Sequence, residues 1–386
     1  MLLTAGETLR IVYAEATSEP GVVGCAFAPL FTSVNPGQRL LLDDGRLEVV
    51  VTDVRHGEFL TRVIEGGILD SRKGIHVPGS VVQTAALTEK DHVDLRAGIA
   101  MGVDVVALSF VQGPEDLLQA REAARLAGAP GLPIIAKIER PLAVERIREI
   151  VEVSDGVMVA RGDLGIELPL ETVPAVQKLV IHAARRRGVP VIVATEVLES
   201  LRTSPRPTRA EVTVAAHAVD VGADTIMLSG ETAVGQYPVR TVATLSTIIM
   251  EAERALARGG FERVATDDVR ATRHGLALCE AAVALASRAG AAAIIAVTKA
   301  GMTPTVLSAL RPSARIIAAT ANPQTAARLG LVWGVTPVIT EGSTLAAVRD
   351  TLLTRNLVPA GSTVVFVAMH ATLEREASNY LTVEQM

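Results

Sequence analysis

The 386 residues, 49 % of them apolar and 20 % charged, have the composition of a globular chain of two or three domains and exclude a disordered one. A net charge of −5 without any basic tract argues against nucleic acid as a partner. No apolar run reaches the ~20 residues that cross a bilayer, no signal-peptide pattern follows Met1, and Cys25 and Cys279 lack metal-ligand spacing, so a cytoplasmic, non-membrane location is expected.

Residues 1–79 carry short β-type runs, LRIVYA, RLLLDD, LEVVVTDV and LTRVIE, joined by turn signals at Pro36-Gly37 and Asp44-Gly45. Helical periodicity is scarce, which predicts a small all-β domain. The rhythm changes near residue 80. Five apolar runs follow: VDVVALSF (103–110), PIIAKIE (133–139), GVMVARGD (156–163), PVIVAT (190–195) and ADTIMLSG (223–230). Each precedes an amphipathic helical stretch, so residues 80–255 read as five βα units of a parallel sheet, either doubly wound or a (β/α)₈ barrel. A charged helical stretch near 250–270 leads to a last region, 270–386. Its strand candidates AAIIAVT, RIIAAT, TPVIT and TVVFVAM alternate with helical segments that include 273–289 and 344–355, and they predict a three-layer α/β domain.

The polar residues gather where the central runs end: Ser109, Lys137 with Glu139, Arg161 with Asp163, Thr195, and Ser229. In a parallel barrel that rim carries the chemistry. Lys137 and Glu139 lie two apart on one strand, so their side chains share a face. Asp163 ends the next strand, and two such carboxylates suit one hard divalent cation. A lysine beside them neutralises charge on a phosphoryl group or an enolate oxygen. Thr195 places a hydroxyl one βα unit further on, and the glycines of Arg161-Gly162-Asp163-Leu164-Gly165 let backbone N–H groups approach an anion. Singly, each feature is equally an ordinary salt bridge or helix cap; the set at successive strand ends points to a metal and anion site.

Weaker signals surround it. Thr208 with Glu211 is a capping-box pattern. Ser229-Gly230-Glu231-Thr232 fits a phosphate contact or a plain strand-to-helix turn. Thr298 to Thr303 follows a strand and could hold a phosphate at a helix N-terminus. His182 and His217 sit on helical stretches, where packing or surface roles are expected.

Four stretches in this order and spacing resemble the pyruvate kinase family: IIAKIER (134–140), SDGVMVARGDLGIELP (154–169), ATEVLESLRTSPRPTRAE (194–211) and ADTIMLSGETAVGQYP (223–238). LLDDGRLEVVV and KGIHVPG resemble that family's lid, and 321–338 resembles its C-terminal regulatory domain. The resemblance implies an α/β fold: a partial (β/α)₈ TIM barrel of about five of eight units, an N-terminal small β-barrel lid domain and a C-terminal three-layer α/β domain. It implies transfer of a phosphoryl group from phosphoenolpyruvate to ADP, giving pyruvate and ATP, by a homo-oligomer, a tetramer in the family. Glu139 and Asp163 would hold Mg²⁺ (or Mn²⁺), and Lys137 would stabilise the phosphoryl group in transit. Ala160, Gly162 and Asp163 would hold the substrate carboxylate through backbone groups, and Thr195 would bind substrate and assist protonation of the enolate.

Departures from the family pattern accompany the match. The family's first three barrel units, which precede its lid and carry its K⁺ and nucleotide ligands, have no counterpart in this chain. Glu196-Val197 stands where Gln-Met is usual, and Met302 replaces an effector-binding arginine, so activation by fructose 1,6-bisphosphate is not expected. Two alternatives fit the same residues: a metal-dependent lyase or aldolase acting through a pyruvate enolate, and a non-catalytic regulatory paralogue.

Overall fold

The computed structural model describes all residues except 16, 18, 44, 79–86, 260–268, 343 and 370–378. The expected boundary at 79–80, the end of the 250–270 stretch and most of the tail after Met369 therefore lie outside the described residues.

Eight strands occupy the first region: β1 (Leu2–Leu3), β2 (Thr8–Tyr13), β3 (Val22–Cys25), β4 (Arg39–Leu42), β5 (Leu47–Arg55), β6 (Glu58–Glu65), β7 (Gly67–Ile68) and β8 (Ile75–His76). Six of them form one sheet in the order β3-β2-β6-β5-β4-β8, and β1 pairs with β7. The alternating positions Leu9, Ile11, Leu40, Leu42, Val49 and Val51 point to one apolar core around Phe59. The region is not purely β, as its sequence suggested. Residues Ala28–Ser33 form a short helix whose Leu30 is buried in that core, opened by Pro29 in its first turn.

The central region forms a five-stranded parallel sheet in the order β13-β12-β11-β10-β9. Its strands are β9 (Val106–Leu108), β10 (Ile134–Ile138), β11 (Gly156–Ala160), β12 (Val191–Ala194) and β13 (Thr225–Met227). The monotonic order is that of a barrel wall and excludes the doubly wound alternative, which needs a reversal of strand order. One face, including Ala136, Ile138, Val157, Val159, Val191 and Val193, packs against helices through Leu117, Ile150, Val180 and Ile181. The other face carries Ile135, Met158, Ile192 and Ala194. Burial on both faces explains why these runs are continuously apolar rather than alternating. The helix Val173–Arg187 ends at Gly188 with φ +65°, the left-handed cap that glycine adopts without strain.

The last region is a second five-stranded sheet, β16-β15-β14-β17-β18, with helices on both faces. Its strands are β14 (Ala293–Val297), β15 (Arg315–Thr320), β16 (Val335–Ile339), β17 (Thr363–Ala368) and β18 (Tyr380–Gln385). The antiparallel strand β18 was not anticipated. It pairs along β17 in the register Val365↔Val383. Buried polar links join the two sheets' surroundings. Arg311 lies 3.0 Å from Asp224 and donates to Gly222 O, while Thr225 donates to Leu331 O at 3.0 Å.

Candidate active site

The sequence-predicted residues fall at the C-terminal ends of β9 to β12. Strand pairing aligns those ends, with Ile138 opposite Val159 and Ala160 opposite Ala194. Two hydrogen-bonded clusters result.

The first joins β9 to β10. Lys137 Nζ lies 2.5 Å from Glu139 Oε1 and donates to Ser109 Oγ at 2.9 Å. Glu139 is only 1 % exposed. Its Oε2 accepts the Phe110 N–H at 2.7 Å, whereas Oε1 accepts no hydrogen bond of acceptable angle despite the close ammonium. Phe110 has φ +56°, a conformation that aims its N–H at the carboxylate. The Arg140 guanidinium stands over its ring at 5.3 Å.

The second cluster joins β11 to β12. Ala160 caps the helix Arg161–Glu167, and Asp163 lies in its first turn. The Gly162 N–H donates to Thr195 Oγ1 at 2.9 Å, and that hydroxyl donates to Ala194 O at 2.7 Å. Gly162 N–H is thus engaged by Thr195 in this structure. Thr195 and Glu196 both have positive φ, +62° and +52°. For a β-branched residue this is a strained conformation of the kind that collects at functional sites. Arg161 holds it in place, its guanidinium bonding the carbonyls of Thr195, Ala194 and Glu196. Burial pushes the Arg161 guanidinium down from its ordinary value, with Glu196 and Glu231 opposing, but an arginine stays charged.

The flanking motifs resolve into structure. Glu231 is fully buried and accepts the N–H groups of Leu198 and Ser229, so the 229–232 stretch is a strut between two loops. Thr208 and Glu211 form the expected capping box, and Glu211 also accepts from the N–H and hydroxyl of Ser200. Gly301 N–H is bonded to Thr298 Oγ1 at 2.9 Å, and the helix Met302–Ala309 follows. His182 and His217 lie on helices away from both clusters.

A cavity of about 770 Å³ opens between the first region and these strand ends, lined by Arg72, Lys73 and His76 on one side and Arg140 and Glu167 on the other. Burial raises the Glu167 carboxyl above its usual range. Arg140 and His76 oppose that rise, and Asp163 adds to it. Phe110, Arg140 and Glu167 were not singled out from the sequence. Phe110 contributes through its backbone, which leaves no mark in residue type. Arg140 and Glu167 sit inside motifs read for their neighbours.

Among the described residues no three His, Cys, Asp or Glu side chains gather closely enough to hold a metal by themselves. The donor set still fits a hard divalent cation. Glu139 offers a buried carboxylate whose present partners are the Lys137 ammonium and the Phe110 N–H, and Mg²⁺ commonly takes one or two carboxylates and completes its shell with water and substrate oxygens.

Comparison with known proteins gives this geometry its context. The family model for the pyruvate kinase barrel domain matches residues 1–242, and that for the pyruvate kinase alpha/beta domain matches 276–384. A pyruvate kinase of Methylorubrum extorquens is 43 % identical over 88 % of this chain and 70 % of its own length. One of Geobacillus stearothermophilus is 40 % identical over 99 % of this chain and 66 % of its own, and one of Agrobacterium vitis 40 % over 92 % and 74 %. The chain therefore spans about two thirds to three quarters of the length of these three relatives, and about half of some others it matches. The family generally uses Mg²⁺ and K⁺, and the matches do not favour a lyase or aldolase. With two family models covering most of its length, the chain belongs to the pyruvate kinase family of phosphotransferase enzymes.

Proposed function

We propose that this chain transfers the phosphoryl group of phosphoenolpyruvate to ADP and protonates the enolate left behind, releasing pyruvate and ATP. A bond forms between a terminal β-phosphate oxygen of ADP and phosphorus. The bond from phosphorus to the enol oxygen breaks, and a proton is added at the methylene carbon. The observation that carries this reading is the buried Glu139 carboxylate at a strand end, with the Lys137 ammonium 2.5 Å from Oε1 and the Phe110 N–H on Oε2.

Glu139 and Asp163 would hold Mg²⁺, which when bound supplies charge neutralisation for the phosphoryl and enolate oxygens. Lys137, anchored by Ser109, presents an ammonium to the phosphoryl group in transit. Backbone groups of Ala160, Gly162 and Asp163, around the start of the helix Arg161–Glu167, would hold the substrate carboxylate. A carboxylate there competes with Thr195 Oγ1 for the Gly162 N–H. The Thr195 O–H points to Ala194 O, so delivering a proton to the enolate requires the hydroxyl to rotate toward the substrate. K⁺ belongs to the family, but the units that carry its ligands have no counterpart in this chain; assembly as a tetramer completes the proposal by family likeness. No helix among the described residues is long and apolar enough to cross a membrane, in keeping with work in the cytoplasm.

The test is a coupled assay with phosphoenolpyruvate, ADP, Mg²⁺ and K⁺. Pyruvate should form in the parent protein and fall by at least ~10²-fold in Glu139→Gln. Folded protein with no pyruvate formation, or an active Glu139→Gln, would overturn the reading.

A further inference from the structure

The turn that follows β12 holds a conformation its residues do not favour. Thr195 and Glu196 have successive positive φ values, a combination suited to glycine and asparagine rather than to a β-branched residue and a glutamate. Both ends of the turn are fixed. Ala194 ends β12 fully buried, and Val197 and Leu198 pack with Leu201, Ala215 and Leu245. The Leu198 N–H is bonded to the buried Glu231 carboxylate. Between these anchors the Arg161 guanidinium reaches three successive carbonyls: Ala194 at 3.4 Å, Thr195, and Glu196 at 3.1 Å. A planar guanidinium suits this task, because its N–H donors diverge in a fixed fork, whereas a lysine offers its charge at one point.

Arg161 and Gly162 grip the turn from one dipeptide. The Gly162 N–H donates to Thr195 Oγ1 at 2.9 Å, and that hydroxyl donates to Ala194 O at 2.7 Å. In the reaction proposed above, a substrate carboxylate takes the Gly162 N–H, and the hydroxyl turns from Ala194 O toward the enolate. Both ties of the Thr195 side chain are then broken, and its placement rests on the backbone alone. A strained backbone persists only where its surroundings over-determine it.

We propose that Arg161 is a positioning residue for enolate protonation. It holds Thr195 in its strained conformation, so that the hydroxyl stays in place once substrate has taken the Gly162 N–H. Arg161 acts through Thr195 and not on the transferring phosphoryl group, to which Lys137 presents its charge. The role in protonation rests on the kinase reading above; the strap on the turn does not.

Crystal structures and steady-state kinetics of the parent, Arg161→Met and Arg161→Lys test it. In Arg161→Met the Thr195 φ should return to a negative value, and this is read whether or not the protein is a kinase. In the coupled assay its kcat should fall by at least ~10-fold, with KM for phosphoenolpyruvate within ~3-fold of the parent. Slower protonation should also raise the solvent deuterium isotope effect on kcat above the parent's. Arg161→Lys keeps the charge without the fork, and its kcat should stay at least ~3-fold below the parent. It is read in the same way where Arg161→Met does not fold. Thr195 still at positive φ in Arg161→Met, a parent-like kcat in Arg161→Lys, a loss confined to KM, or an unchanged isotope effect would overturn the proposal. A parent that forms no pyruvate overturns the kinase reading, and with it the role in protonation, while the φ of Thr195 still decides the strap.

Discussion

Lys137 Nζ and Glu139 Oε1 stand 2.5 Å apart on the same face of one strand, the carboxylate almost wholly buried and the ammonium about a quarter exposed. The pair is held from the neighbouring strand by Ser109 Oγ on the lysine and Phe110 N–H on the glutamate. Removing the cation leaves a buried charge with one backbone donor.

Lys137→Met is therefore expected to lower stability by about 3–5 kcal/mol, the usual cost of stripping one partner from a buried ion pair. Urea denaturation with and without millimolar Mg²⁺ checks it. The divalent ion should raise the midpoint more in the variant than in the parent, because it takes over the neutralisation of Glu139. Equal Mg²⁺ effects on both proteins would contradict the proposed metal site.

Thr195 combines a strained backbone with a hydroxyl in use. Thr195→Gly relieves roughly 1–3 kcal/mol of positive-φ strain but abandons the Gly162 N–H, so the net stability change should stay within about 1 kcal/mol. Its kcat should fall by ~10²-fold or more, while Thr195→Ser, which keeps the hydroxyl, should stay within ~10-fold of the parent. Thermal melts and steady-state kinetics on the three proteins separate strain from chemistry.

Glu211 links a helix start to the loop after β12. Desolvation alone would raise its carboxyl, but hydrogen bonds from Ser200 and Thr208 outweigh that and hold it below its ordinary value of 4.5. The folded state thus binds the proton less readily than the unfolded chain. The stabilisation is present above about pH 4.5 and is lost as pH falls through the folded value. Glu211→Gln should cost about 1–2 kcal/mol at pH 7. Its deficit against the parent should shrink as denaturation curves are repeated from pH 6 down toward pH 3.

The two thiols should behave oppositely. Cys279 is fully buried, and burial pushes its thiol up from 9.0 to about 12. Cys25 is half-buried in β3 and lines the cavity of about 770 Å³. An aromatic disulfide reagent at pH 8 should titrate one thiol in the native protein and the second only after denaturant is added. The raised Cys279 value also means that its contribution to stability is whole below pH 9 and is lost as pH rises toward 12.

Local pattern determined much of this protein. Continuous apolar runs of five to eight residues, each followed by an amphipathic stretch, specify buried parallel strands, because burial on both faces leaves no alternation. The spacing of two between Lys137 and Glu139 specifies a shared face, since strand side chains repeat with period two. Thr208 and Glu211 specify their cap at a spacing of three.

What the sequence left open depended on partners far along the chain. The choice of barrel wall over doubly wound sheet lies in strand order, which is set by how helices such as Val173–Arg187 pack across β11 and β12. Strand β18 escaped because YLTVEQ reads as a half-exposed tail until β17 supplies its hydrogen bonds. The site changed most. Phe110 serves through its backbone N–H, the strained positive φ beneath the Thr195 hydroxyl is invisible in residue type, and Arg161 acts through three carbonyls some 33 to 35 residues away. Backbone direction and long-range carbonyl contacts are not encoded in residue type or spacing, so only the packed tertiary structure decides them.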